Sequence, residues 1–109
     1  MQTTTEQSEQ LVLLGVPPET ASKTDDTSGV TPAWTTDDLM DLLPETVGNN
    51  VWAFSMRKTR GEYVIEYTYK GRAHNTLIVH SPRLFDAAYE MIVLLIKEHF
   101  IDYGTNYQK

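Results

Sequence analysis

The three histidines are the first residues to weigh for chemistry, because an imidazole titrates near neutral pH and serves as general acid, general base or metal ligand. His74 and His80 fall on one face of an expected strand, six residues apart. At ~3.3 Å per residue they stand about 20 Å from each other, too far to share a metal. His99 sits near the end of an expected helix, where the macrodipole favours a cationic imidazole. None has a carboxylate or nucleophile at the spacing of a triad, so a structural role is the first reading and an enzyme using His74 or His80 is the outside candidate. The carboxylates are placed no better. Asp37, Asp38 and Asp41 lie in the opening turns of a helix, where acids stabilise the N-terminus. Glu62 and Glu66 share a strand face about 13 Å apart, beyond the separation of a glycosidase pair. The six glycines are scattered singly, as turns require, and form no phosphate-binding loop. With no cysteine in the chain, disulfides, thiolate catalysis and thiolate metal sites are excluded. No catalytic residue, metal or cofactor is expected.

The basic and aromatic residues form a more suggestive set. Arg57, Lys58, Arg60, Lys70 and Arg72 gather about the two turns of an expected strand meander, and Trp52, Phe54, Tyr63, Tyr67 and Tyr69 supply rings on its strands. Single-stranded nucleic acid is bound by such combinations. Against this, those rings alternate onto the face assigned to the core, the two turns lie at opposite ends of the second strand, and the pI near 4.9 opposes phosphate binding. Core aromatics with solvated turn charges are the plainer account.

The elements that must position these residues follow from length, charge and patterning. A chain of 109 residues holds one domain and a tail. Residues 1–50 carry nine acids against one base, net −8, while residues 51–109 carry six acids against eight bases, net +2. An acidic front half therefore attracts a mildly basic back half, or serves a partner, including mimicry of nucleic acid in a basic groove. Residues 1–33 read as an acidic, polar, partly flexible tail, broken by Leu11, Val12, Leu13, Leu14 and Val16. That cluster is a short helix opened by Ser8 and stopped by Gly15, or a strand on a sheet edge, and whether it docks is left open. The longest apolar run, residues 91–96, is far short of the ~18 needed to span a bilayer, and the start lacks a basic region before its apolar cluster. A cytoplasmic protein is the expectation.

Residues 34–109 read as a small α+β domain. Thr35 followed by Asp38 resembles a capping box, and Leu39, Met40, Leu42 and Leu43 repeat at helical spacing until Pro44. Three alternating runs separated by short turns, at 48–50, 58–61 and 70–72, predict a three-stranded antiparallel meander over 51–58, 62–70 and 73–80. Ser81 as N-cap and Pro82 at the first helical position open a C-terminal helix to about Phe100, packed on one sheet face. Its apolar arc is wider than one sheet face needs. The short helix, the 11–16 cluster or a second copy of the chain must cover the rest, and Tyr89, Ile92, Val93 and Ile96 are the expected self-association residues of a homodimer.

Three stretches carry a family likeness: residues 14–21 (Leu-Gly-Val-Pro-Pro-Glu-Thr-Ala), Thr31-Pro32-Ala33-Trp34-Thr35 leading into residues 39–44, and residues 86–92 with the rest of the last helix. In these the chain resembles a loose group of small proteins from prophages and conjugative elements of Bacteroides-type intestinal bacteria. That group often carries tryptophan where this chain has Leu94. The resemblance covers most of the chain, implies an accessory protein of a mobile element, and transfers no functional residue. The functional expectation is a non-enzymatic protein-interaction module with an unidentified protein partner; single-stranded nucleic-acid binding is the alternative.

Overall fold

The computed structural model describes residues 1–24, 31–47, 52–69, 76–98 and 100. Three helices, a short 3₁₀ turn and six strands follow in the order α1 (Thr5–Leu13), the turn Pro18–Thr20, β1 (Lys23–Thr24), β2 (Pro32–Ala33), α2 (Thr36–Leu42), β3 (Thr46–Val47), β4 (Trp52–Thr59), β5 (Glu62–Tyr69), β6 (Thr76–Ser81) and α3 (Leu84–Lys97). This is an α+β fold. The antiparallel meander β4–β5–β6 is present as the alternation predicts, and the two-residue β3 extends it at the β4 edge.

The β4–β5 connection shows why the hairpin forms where it does. Thr59 pairs with Glu62, leaving Arg60 at φ 53° and Gly61 at φ 80° as a two-residue turn with both central residues left-handed. That geometry matches strand twist, and glycine takes the second position without a Cβ penalty. Pairing then places Trp52, Phe54, Ile65, Tyr67, Leu77 and Val79 on the face that receives α3. The turns expected at 48–50 and 70–72, and the opening residues of two of the strands, lie outside the described residues.

α2 begins as its sequence dictates. The Thr35 hydroxyl accepts from the Asp38 N–H at 3.2 Å, and the Asp38 carboxylate accepts from the Thr35 N–H at 3.0 Å. The expected start of α3 is corrected. Ser81 is the last residue of β6, paired with Tyr63, and the helix begins at Leu84 after Arg83, which makes no side-chain cap. The proline at 82 holds its predecessor extended, and the sheet ladder fixes that choice.

The front of the chain is packed rather than loose over residues 1–24. α1 opens at Thr5, not at Ser8, through a capping box in which Thr4 and Gln7 exchange backbone and side-chain bonds at 3.0 and 3.1 Å. It closes at Gly15, φ 96°, with Gly15 N–H donating to Val12 C=O and Val16 N–H to Leu11 C=O, the paired bonds of a Schellman cap. The cap directs Leu11 and Val16, 0% and 2% exposed, into the same core as Trp34, Leu39, Ile65, Tyr67, Met91 and Leu95. Ser8, instead of capping, is buried with its hydroxyl 2.7 Å from that of Thr3.

Trp34 is the joint between the two halves. Its backbone exchanges bonds with Thr3 at 2.9 Å each, and its indole N–H donates to the Thr20 hydroxyl at 2.8 Å, which itself donates to Pro17 C=O. A second joint is electrostatic. Partial burial pushes the Asp38 carboxyl up, but the bonds from Thr35 and Ser22 outweigh it and hold the group below its ordinary 3.8. A carboxyl depressed on folding stabilises fully above 3.8, and the gain is lost as pH falls through the lower folded value. The stability difference between wild type and Asp38→Asn, read from urea midpoints, is therefore expected to be largest near neutral pH and to vanish in acid. A difference independent of pH would contradict the assignment.

Candidate functional site

α1 and α3 line the two sides of a shared hollow, with their N-termini at the same end. Met1, Gln2, Thr4 and Gln7 surround a small hollow with Arg83, Phe85 and Asp86. Further along, Glu6, Gln7 and Gln10 of α1 face Tyr89, Val93 and Lys97 of α3 across an open groove of about 430 Å³. The helical repeat explains the lining, since residues four apart share a face: 6 and 10 on one helix, 89, 93 and 97 on the other. The floor is apolar and half-buried; the rim carries two amides and one charge of each sign. Burial raises the Tyr89 phenol above its usual 10, so it remains a neutral hydrogen-bonding group at physiological pH. Among the described residues the groove holds no nucleophile beside a base, and no cluster of three metal-ligating side chains exists.

The residues expected for self-association divide. Tyr89 and Val93 line this groove, and Ile96 is half-buried against the core. Ile92 is 0% exposed, inside the core of the chain. The wide apolar arc of α3 is absorbed by the sheet on one side and by Leu39, Trp34, Leu11 and Val16 on the others. Glu6, Gln7 and Gln10 were not expected here; the Thr4-to-Gln7 capping box is the sequence signal that places them on a helix.

Among the described residues of the basic set, Arg57, Lys58 and Arg60 do not share one face. Arg57 stands on the outer sheet face and pairs with Glu66, while Lys58 projects from the opposite side of β4, 5.0 Å over the Tyr63 ring. Arg60 occupies the hairpin turn. Phe54 meets Tyr67 edge-on at 5.6 Å, and Trp52 meets Phe100 likewise at 5.2 Å, all on the α3 side. Lys70, Arg72, His74 and His99 lie outside the described residues, as does the Tyr69 side chain. His80 is exposed on the outer face, its Nδ1 3.4 Å from Glu62. Arg57 and His80 flank Val64 on neighbouring strands, and their diagonal pairings with Glu66 and Glu62 cross beside it. Val64 is consequently 6% exposed on a sheet face that carries no helix among the described residues.

No helix among the described residues is long and apolar enough to cross a membrane. No family model matches the chain, and no curated protein or solved structure is significantly similar to it.

Proposed function

We propose that the chain is a non-enzymatic protein-interaction module of the cytoplasm, an accessory protein of a mobile element, and that the α1–α3 groove is its contact surface. One observation carries the reading: Tyr89 and Val93 remain half-buried between two helices, under a rim of Gln7, Gln10, Glu6 and Lys97. An apolar floor with convergent polar groups is the usual make-up of a docking site, the floor giving affinity and the rim orientation. The nucleic-acid alternative draws less support, because the rings it needs pack beneath α3 and Arg57 is neutralised by Glu66.

Site-specific photocrosslinking tests this. A benzophenone amino acid at Gln10, in the groove, is compared with one at Ser55, exposed on the outer sheet face, in the cells that make the protein. A discrete protein adduct from position 10 and none from 55 is expected. Adducts from 55 alone, or from neither position, overturn the assignment of the groove.

A further inference from the structure

The open edge of the sheet offers a second contact, independent of the groove. We propose that two copies of the chain join edge to edge through β6, antiparallel and with Ile78 facing Ile78 across a two-fold axis, so that one sheet runs through both.

The direction of each backbone group in the sheet follows from its hairpin turn. Around Arg60 and Gly61, Thr59 and Glu62 exchange both N–H···O=C bonds, and the bonding direction then alternates from residue to residue along each strand. Phe54, Met56 and Lys58 therefore turn their backbone groups away from β5, and the 2.9 Å bond from Phe54 N–H to Glu45 C=O agrees with this. Carried into the register of β5 with β6, the alternation turns Leu77, Val79 and Ser81 toward β5. The N–H and C=O groups of Thr76, Ile78 and His80 then point outward from the last strand, where no strand or helix among the described residues receives them.

An unpaired row of this kind is a template for another extended backbone, and edges not used for pairing are commonly blocked by charge, proline or a bulge. The opposite edge of this sheet is blocked. β3 covers the start of β4, and Lys58, between Arg57 and Arg60, charges its far end. β6 has no such device: Thr76–Ser81 contains no lysine, arginine, carboxylate or proline, and its pairing with β5 runs without a bulge. Its aliphatic side chains are also incompletely covered on both faces. Ile78 is 46% exposed on the outer face, and Leu77 and Val79 are half-buried on the α3 side.

A strand of any sequence could satisfy the backbone; the match of side chains favours a second β6. Outward groups must face outward groups, which leaves two central registers. With the axis at Val79, Thr76 falls opposite Pro82, which has no N–H to give. With the axis at Ile78, Thr76 faces His80, Ile78 faces its counterpart and His80 faces Thr76, and each pair can exchange two bonds. The same register sets Leu77 of each copy against Val79 of the other, because an isologous contact that joins residue i to j also joins j to i. Aliphatic surface is thereby covered on both faces. No facing pair brings like charges together, as a chain of net charge −6 requires of a contact with its own copy.

Sedimentation equilibrium on the full chain tests the arrangement with Ile78→Lys and Ile78→Glu, each alone and mixed in equal amounts, beside wild type and Met56→Lys. Wild type is expected to approach twice 12.4 kDa with rising concentration. Each variant at position 78 alone sets two like charges face to face and is expected to associate about tenfold more weakly. The mixture sets unlike charges face to face and is expected to associate at least about fivefold more tightly than either component. Met56→Lys, at an exposed position on the opposite edge, should leave association unchanged. Impaired folding cannot imitate the recovery, since both chains in the mixture carry a weakening substitution. Amide exchange on wild type locates the contact: the N–H groups of Ile78 and His80 are expected to slow as concentration rises, while those of Met56 and Lys58 do not.

A wild type that stays monomeric overturns the proposal. So does a dimer whose Ile78 and His80 amides exchange as fast as in the monomer, or a mixture that associates no more tightly than its components. None of these results bears on the adduct expected at position 10, so the edge contact and the groove stand or fall separately.

Discussion

Replacing Trp34 by alanine is expected to cost about 3–5 kcal/mol, the range for emptying a large buried aromatic site. Total stability for a domain of this size is about 5–15 kcal/mol, so the variant sits near the threshold of folding. The expectation rests on three features acting together. The side chain is fully buried at the centre of the core, its indole N–H is bonded to Thr20, and its backbone is bonded in both directions to Thr3. Alanine removes the first two, leaves a cavity between α2 and the front of the chain, and strips the Thr20 hydroxyl of its indole donor. Trp34→Phe separates the contributions: it keeps most of the apolar volume and loses the indole bond, for a cost of about 1–2 kcal/mol. Urea unfolding followed by circular dichroism reads both. An alanine variant that loses less than about 1 kcal/mol would mean that Trp34 does not join the two halves.

Much of this fold was legible because several elements are specified locally. The hairpin at Arg60 and Gly61 follows from two alternating runs and a glycine, and α2 follows from Thr35 and Asp38, three residues apart. The start of α3 was not legible. Ser81 and Pro82 satisfy the pattern of a helix cap, and only the pairing of Ser81 with Tyr63 holds the residue in the sheet instead. The packing of the front segment was not legible either, because the bonds that secure it are long-range: Thr3 reaches 31 residues forward to Trp34, and Ser22 reaches 16 to Asp38.

The same division applies to the site. The apolar excess of α3 can be counted from its sequence, but which residues the rest of the chain covers depends on tertiary packing. Leu11 and Val16 take up part of the arc and seal Ile92 inside, while Tyr89 and Val93, on an adjoining stripe, are left to the groove. The rim residues Glu6, Gln7 and Gln10 gain meaning only once α1 is docked. Exposed Leu13, at 82%, and Val12, at 43%, mark the opposite outcome on the same helix, where the Schellman cap turns the chain inward at Val16 and leaves them in solvent.

The groove, and with it the proposed interaction, exists only while α1 keeps its place across from α3. Native-state amide exchange on the wild-type chain tests this most directly. The reporters are the N–H groups of Leu14 and Val16, bonded to Gln10 and Leu11 at 3.0 Å, compared with those of Ile65 in β5 and Leu95 in α3. If α1 belongs to the one cooperative core, its amides exchange through the same global opening and are protected to the same order as Leu95, about 10⁴-fold or more for a domain of ordinary stability. If Leu14 and Val16 exchange at nearly unprotected rates while Ile65 and Leu95 remain slow, α1 detaches freely, the groove has no second wall, and the central claim is contradicted.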